Sequence, residues 1–226
     1  SEKNIKDIKD ESNSEDESNS EDESNSEDES NSGDESNSED ESDRDITIYN
    51  PFNYQQDVLS NIKVFYEHND IGKLIWACGL GKSLMTLFII KEMDFKTNLI
   101  CVPSKTLQKQ WKKSILSLFP EKENLLFVGG DSFDGIISTN NIDNILTFIT
   151  KDDNKKFIVS TYHLCNLLTS NTIVFDFKIG DEAHHLVGLD DKETTGFKKF
   201  HKIKSKKTLF MTATEKVIES KSENPI

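Results

Sequence analysis

The chain has 226 residues and a formal net charge of −14. Residues 1–45 hold 20 Asp/Glu and 4 Lys/Arg, a net −16, whereas the remaining residues hold 21 Asp/Glu and 23 Lys/Arg, a net +2. The acidity therefore belongs to the first fifth, and the near-neutral remainder is long enough to enclose one sizeable core. No run of about 18 apolar residues exists, which argues against a membrane span. The acidic, polar N-terminus does not read as a signal peptide. Cys78, Cys101 and Cys165 are far apart and form no CxxC pair. They argue against a disulfide scaffold or a structural zinc site, and fit three small buried hydrophobes in an intracellular, reducing compartment.

Residues 11–40 are five copies of a six-residue unit, ESNSED, with Gly33 replacing Glu in the fourth copy. The unit has no apolar residue, so it cannot offset the entropy of ordering, and residues 1–45 read as a disordered acidic tail. Residues 46–226 form the folded domain, opening on the apolar alternation of Ile46-Thr47-Ile48-Tyr49.

From there helical and extended patterns alternate. Helical spacing marks Asn53 to Glu67, with Tyr54, Val58, Ile62 and Phe65 on one face. Lys73 to Trp76 is a short strand and Ser83 to Met93 an apolar helix. Asn98 to Val102 is a strand, and Thr106 to Phe119 a helix with Leu107, Trp111, Ile115 and Leu118 aligned. A strand over Leu125 to Val128, a helix over Ile142 to Ile149 and a strand over Phe157 to Ser160 follow. Tyr162 to Leu168 is a short helix, Ile173 to Ile179 one or two strands, and Thr208 to Met211 the last strand. In Phe197 to Lys207, the spacing of Phe197, Phe200 and Ile203 favours a packed helical face with lysines outside, over a nucleic-acid patch. Short apolar strands alternating with helices predict an α/β fold with a mostly parallel central sheet.

Two motifs carry chemistry. Gly79-Leu80-Gly81-Lys82-Ser83 follows a strand and opens a helix, the setting a phosphate-binding P-loop needs. Its glycines let the backbone approach phosphates, Lys82 reaches the β- and γ-phosphates of ATP, and the Ser83 hydroxyl suits Mg²⁺. Trp76 stands where the general pattern has glycine, and a turn that merely caps a helix is the structural alternative. About 100 residues later, Asp181-Glu182-Ala183-His184 ends an apolar strand. Asp181 suits the same metal, partly through water, and Glu182 suits a general base.

With these motifs in order, the chain resembles the first RecA-like motor domain of superfamily 2 DEAD/DEAH-box-like helicases, in the branch of restriction-enzyme motor subunits and viral helicases. Ala77 to Ser83 resembles motif I of that branch. Tyr54-Gln55 resembles the upstream motif in which Gln55 reads adenine, with Phe52 where the family often has Arg. Val102-Pro103-Ser104 resembles motif Ia and Ser160-Thr161-Tyr162 motif Ic. Asp181 to His184, followed by His185, resembles motif II, with Gly180 in place of a branched residue. Thr212-Ala213-Thr214 resembles motif III, with Glu215 where many relatives have Pro.

The resemblance implies that Pro103, Ser104, Ser160 and Thr161 face a DNA or RNA backbone, although Ser and Thr there also suit helix caps. It implies that His184, Thr212 and Thr214 couple the nucleotide and nucleic-acid sites. It further implies an ATP-dependent helicase or translocase whose second RecA-like domain supplies an arginine finger. The only arginine here is Arg44, in the tail, so residues 1–226 alone are expected to bind ATP·Mg²⁺ and hydrolyse it poorly. A restriction-type double-stranded DNA translocase and a non-catalytic ATP-gated binding module are the alternatives. The tail is expected either to solubilise or to compete with nucleic acid for the domain's basic groove.

Overall fold

The computed structural model describes residues 49–129, 132, 135–170, 172–186 and 195–214. The acidic repeat, the boundary at residue 45 and Glu215 lie outside these residues. The elements are α1 (Asn53–His68), β1 (Ile71–Ile75), α2 (Lys82–Glu92), β2 (Thr97–Val102), α3 (Lys105–Leu118), β3 (Leu125–Val128), β4 (Ile137–Thr139), α4 (Ile142–Thr150), β5 (Lys156–Thr161), β6 (Phe175–Gly180), α5 (Thr195–Lys202) and β7 (Ser205–Thr212). Short 3-10 helices cover Lys122–Asn124, Tyr162–Leu168 and Ala183–Leu186.

The seven strands form one sheet in the order β1-β7-β6-β2-β5-β3-β4, and every pairing is parallel. The expected fold class is therefore met: a RecA-like α/β domain. The extended segment after Ile173 is a single strand. Strand β4 was not expected, whereas helix α5 falls on the helical face expected around Phe197 and Phe200. Three residues of β4 give too short an alternation to stand out from loop.

Alternation along the central strands sorts side chains between two cores. Ile100, Val102, Leu125, Phe127, Phe157 and Val159 pack beneath α1, α2 and α3, together with Trp111 and Ile115. Leu99, Cys101, Leu126, Val128 and Ile158 face α4, the Tyr162–Leu168 turn and α5. Helix α2 is apolar all round because it is covered on all sides, and every residue from Met85 to Ile90 is buried.

The buried stripe of α1 is rotated from the expected one. Gln55, Ile62 and Tyr66 are buried, whereas Tyr54 and Phe65 are exposed. The helix lies over β1, an edge strand whose residues alternate exposed and buried, so only a narrow stripe meets the sheet. The Tyr66 hydroxyl donates to Thr208 O at 3.4 Å. Phe200 on α5 and Ile203 just after it are buried, and His201 and Lys202 are exposed. That arrangement fits the packing-face reading of the basic run at these two positions; the side chain of Phe197 lies outside the described residues. Among the cysteines, Cys101 and Cys165 are buried free thiols, but Cys78 is exposed. The expectation of three buried cysteines fails there because Cys78 sits in a surface loop. No helix among the described residues is long and apolar enough to cross a membrane.

Candidate functional site

The parallel sheet brings the motifs after β1, β2, β5, β6 and β7 to the carboxyl ends of its strands, while Tyr54 and Gln55 enter from the first turn of α1. The strand order then divides that rim. Loops after β1, β6 and β7, which are neighbours, hold Gly79 to Ser83, Asp181 to His184 and Thr212 to Thr214. Loops after β2, β5, β3 and β4, also neighbours, hold Pro103, Ser104 and Thr161. The two halves meet between β6 and β2, where Asp181 N–H donates to Cys101 O at 2.9 Å.

The loop after β1 depends on backbone freedom. Gly79 has φ +84° and Gly81 φ +72°, a region that L side chains rarely adopt. Gly81 is also the cap of α2, so the helix N-terminus opens directly onto the loop. Lys82 Nζ donates to Trp76 O at 2.9 Å and Ala77 O at 3.3 Å, which curls the side chain across the loop. Ser83 follows in the first turn of α2.

Gln55 is buried beside this loop. Its Oε1 accepts from Phe52 N–H at 2.9 Å. Its Nε2 is buried and has no hydrogen-bond partner among the described residues. A Cβ placed on Gly81 would lie 3.0 Å from that nitrogen. A buried amide donor without an acceptor is costly, and this one stands against the glycine of the loop. The Tyr54 hydroxyl donates to Leu80 O at 3.1 Å, and the Tyr54 ring meets Phe52 and Trp76 with centroids 5.8 and 5.4 Å away. Sequence reasoning did not anticipate this aromatic support, which gives Trp76 a role at its unusual position.

Across the rim, Asp181 is buried and its two oxygens are engaged. Trp111 Nε1–H donates to Oδ2 at 2.8 Å, and Glu182 N–H donates to Oδ1 at 3.0 Å. Burial raises the Asp181 pKa above the ordinary carboxylate value, partly opposed by the Trp111 hydrogen bond. The Tyr162 hydroxyl donates to Asp181 O at 2.7 Å. Gly180 leaves room for that ring: a Cβ there would lie 3.1 Å from Tyr162 Oη, 3.1 Å from Phe200 Cζ and 3.2 Å from Leu186 Cδ1. Any larger residue before Asp181 would therefore have to displace these side chains by a few tenths of an ångström. Glu182 has φ +51°, a strained value for a residue with a Cβ.

His184 Nδ1 lies 3.1 Å from Glu182 Oε2 and 3.2 Å from Thr212 Oγ1. The Thr212 hydroxyl donates to Thr214 O at 2.8 Å and accepts from Thr214 N–H at 3.2 Å. With its proton committed to Thr214 O, Thr212 Oγ1 accepts from His184, which assigns the proton to Nδ1.

On the other half of the rim, a cleft of about 570 Å³ is lined by Pro103, Ser104, Lys105, Lys109, Thr161 and His163, among others. Ser104 caps α3, its Oγ accepting from Leu107 N–H at 3.3 Å. Ser160 departs from expectation. It is fully buried and its hydroxyl donates to Thr161 O at 3.0 Å, so its side chain is not presented to the cleft. The alternation of β5 turns Ser160 inward. Ser138, from the unanticipated β4, also lines the cleft, and its buried Oγ has no hydrogen-bond partner among the described residues. The side chain of His185 lies outside the described residues.

Among the described residues, no group of three or more His, Cys, Asp or Glu is placed to hold a metal by itself. Ser83 and Asp181 could hold a metal only if phosphate and water oxygens completed its shell, as they do for Mg²⁺.

Fold and site together define the RecA-like domain of a superfamily 2 helicase or translocase motor. Residues 48–217 match the family described as "Type III restriction enzyme, res subunit", and the chain belongs to that family. It is similar to the transcript termination protein A18 of Yaba-like disease virus, at 26% identity over 183 residues, covering 77% of this chain and 35% of the relative. The A18 protein of Yaba monkey tumor virus is also 26% identical, over 76% of this chain and 34% of its own length. The chain thus spans about a third of these viral proteins. Among solved structures, a nuclease-deletion mutant of the Type ISP restriction-modification enzyme LlaGI, in complex with a DNA substrate mimic, has a TM-score of 0.59. It is 23% identical, over 75% of this chain and 18% of that one. The Sulfolobus solfataricus SWI2/SNF2 ATPase core with double-stranded DNA has a TM-score of 0.55 and 20% identity, over 74% of this chain and 32% of that one.

Proposed function

We propose that this chain is the ATP-binding half of a nucleic-acid motor. It binds ATP·Mg²⁺ between the Gly79–Ser83 loop and Asp181, and turnover there drives movement on, or unwinding of, DNA or RNA. The observation that carries the reading is the unpaired, buried Nε2 of Gln55 against the Gly81 turn. That nitrogen needs an acceptor, and a purine base beside a phosphate-binding loop offers one.

The residues take these roles. Gly79, Leu80 and Gly81 present backbone N–H groups to the phosphates, and Lys82 exchanges the carbonyls of Trp76 and Ala77 for phosphate oxygens. Ser83 and Asp181 hold Mg²⁺, Asp181 partly through water. Bound Mg²⁺ supplies neutralisation of phosphate charge. Glu182 orients the attacking water and takes its proton on a carboxylate oxygen. His184, Thr212 and Thr214 carry the state of that carboxylate to the strand β7. Pro103, Ser104 and Thr161 meet a nucleic-acid backbone in the cleft, while Ser160 shapes the strand that presents Thr161. A second RecA-like domain supplies the arginine finger.

A second reading is a restriction-type translocase on double-stranded DNA that does not separate strands; the match to a family described as a restriction-enzyme subunit supports its restriction-type part. Nucleic-acid-dependent ATP turnover without strand separation would select it. Binding that ignores ATP would select a tethering module instead. The central test is equilibrium binding of a fluorescent ATP analogue with Mg²⁺. The parent chain should bind, and Lys82→Ala should weaken binding at least 100-fold, about 2.7 kcal/mol. Equal binding by both would overturn the assignment.

A further inference from the structure

Trp111 connects the two halves of the rim. It lies on α3, seven residues after the Ser104 cap, which is about 10 Å along the helix axis. The cap lines the cleft. The Trp111 indole is buried and reaches past β2 to Asp181, after β6. An indole has one N–H and no acceptor, so this group spends its single hydrogen bond on the Asp181 carboxylate.

The kind of donor matters. A lysine or arginine there would hold the carboxylate but cancel the charge that a cation requires. A neutral N–H fixes the carboxylate plane and leaves its negative charge available. Oδ1 is fixed by Glu182 N–H and Oδ2 by Trp111, so the remaining lone pairs have one orientation. The scaffold behind Trp111 is firm. Gln108, one turn earlier on α3, donates to Val159 O at 2.8 Å and Val128 O at 3.4 Å. Helix α3 is therefore tied to the ends of β3 and β5 on the cleft side and, through Trp111, to the carboxylate on the nucleotide side.

We propose that Trp111 is a positioning residue for Asp181, holding it in the geometry that receives Mg²⁺ and transmitting displacement of α3 at the cleft to that carboxylate. This inference rests on the ATP·Mg²⁺ reading above. Partners that orient metal-ligating carboxylates typically contribute 10–100-fold to metal affinity, so Trp111→Phe should raise the Mg²⁺ concentration for half-maximal ATP-analogue binding by about that factor. Metal-free nucleotide binding should change less than about threefold. In an Asp181→Asn background the same substitution should add nothing, because its effect passes through the carboxylate.

A measurement on the unsubstituted chain guards against a folding failure. With ¹⁵N-labelled indoles, the two tryptophans give two N–H resonances, assigned with Trp76→Phe. The Trp111 resonance should shift when Mg²⁺ is added to the nucleotide-bound chain, and shift again when an oligonucleotide occupies the cleft. If nucleotide moves the Trp76 resonance while Mg²⁺ and the oligonucleotide leave Trp111 unmoved, the positioning role is overturned and the nucleotide site stands. If no analogue binds the parent chain, the reading of the site fails first. Equal Mg²⁺ dependence in a folded Trp111→Phe chain would also overturn the role.

Discussion

His184 Nδ1 stands 3.2 Å from Thr212 Oγ1, joining the loop after β6 to the end of β7 across the strand pairing between them. The contact is shared with Glu182 Oε2 at 3.1 Å. Movement of the Glu182 carboxylate therefore has a hydrogen-bonded route to Thr212 and, through it, to Thr214.

Thr212→Val keeps the shape but removes the hydroxyl that both donates and accepts in this network. The residue is buried, but Thr214 is exposed and His184 half-buried, so water takes over part of what the hydroxyl supplied. Stability should fall by about 1 kcal/mol. Urea unfolding checks this, and nucleotide affinity should stay within a factor of about three because no phosphate contact is removed.

Glu182→Gln should separate binding from turnover. The amide retains the size of the side chain but not its basicity. In a protein carrying the second motor domain, ATP analogue affinity should be nearly unchanged while turnover falls by about 10²-fold or more. Turnover equal to the parent would remove Glu182 from the general-base role.

Gly180→Ala should destabilise the domain by about 1–3 kcal/mol through overpacking. The added methyl would press on Tyr162 Oη and Phe200 Cζ, both 3.1 Å away. A lowered urea midpoint with an unchanged slope is the expected result. Since Tyr162 holds the Asp181 carbonyl, nucleotide binding should weaken as well.

Asp176 gives a pH dependence remote from the site. Burial raises its pKa, but hydrogen bonds with Lys206 and with the N–H groups of Thr97 and Lys96 outweigh that, and the net direction is down. The folded state thus prefers the ionised carboxylate more than the unfolded state does. Its contribution is complete above the unfolded value near 3.9 and is lost as pH falls through the lower folded value. Asp176→Asn should cost about 1 kcal/mol at pH 7, a figure reduced for solvent screening. The difference from the parent should vanish in acid unfolding below that window.

Several features were legible without coordinates because their causes are local. A glycine-bounded loop between strand and helix, an acidic pair after an apolar strand and the alternation of elements depend only on neighbouring residues. The register of β4 was not legible, since three residues carry too little pattern. The inward turn of Ser160 depends on which face of β5 meets α3. Trp111 looked like one more apolar residue on a helical face, and nothing near it in the chain points to a carboxylate 70 residues on.

The sequence by itself determined the fold class, the glycine-bounded loop between strand and helix and the acidic pair after a strand, because periodicity and backbone freedom are short-range properties. Only the tertiary structure decided which motifs share a half of the rim. Strand order places β1 beside β7 and β6, and β2 beside β5, and that order is set by packing between distant segments. Packing of the helices on that sheet sets Gln55 Nε2 against the Gly81 turn and brings Trp111 to Asp181. Hydrogen bonds between residues far apart in the chain exist only after the sheet has closed around them.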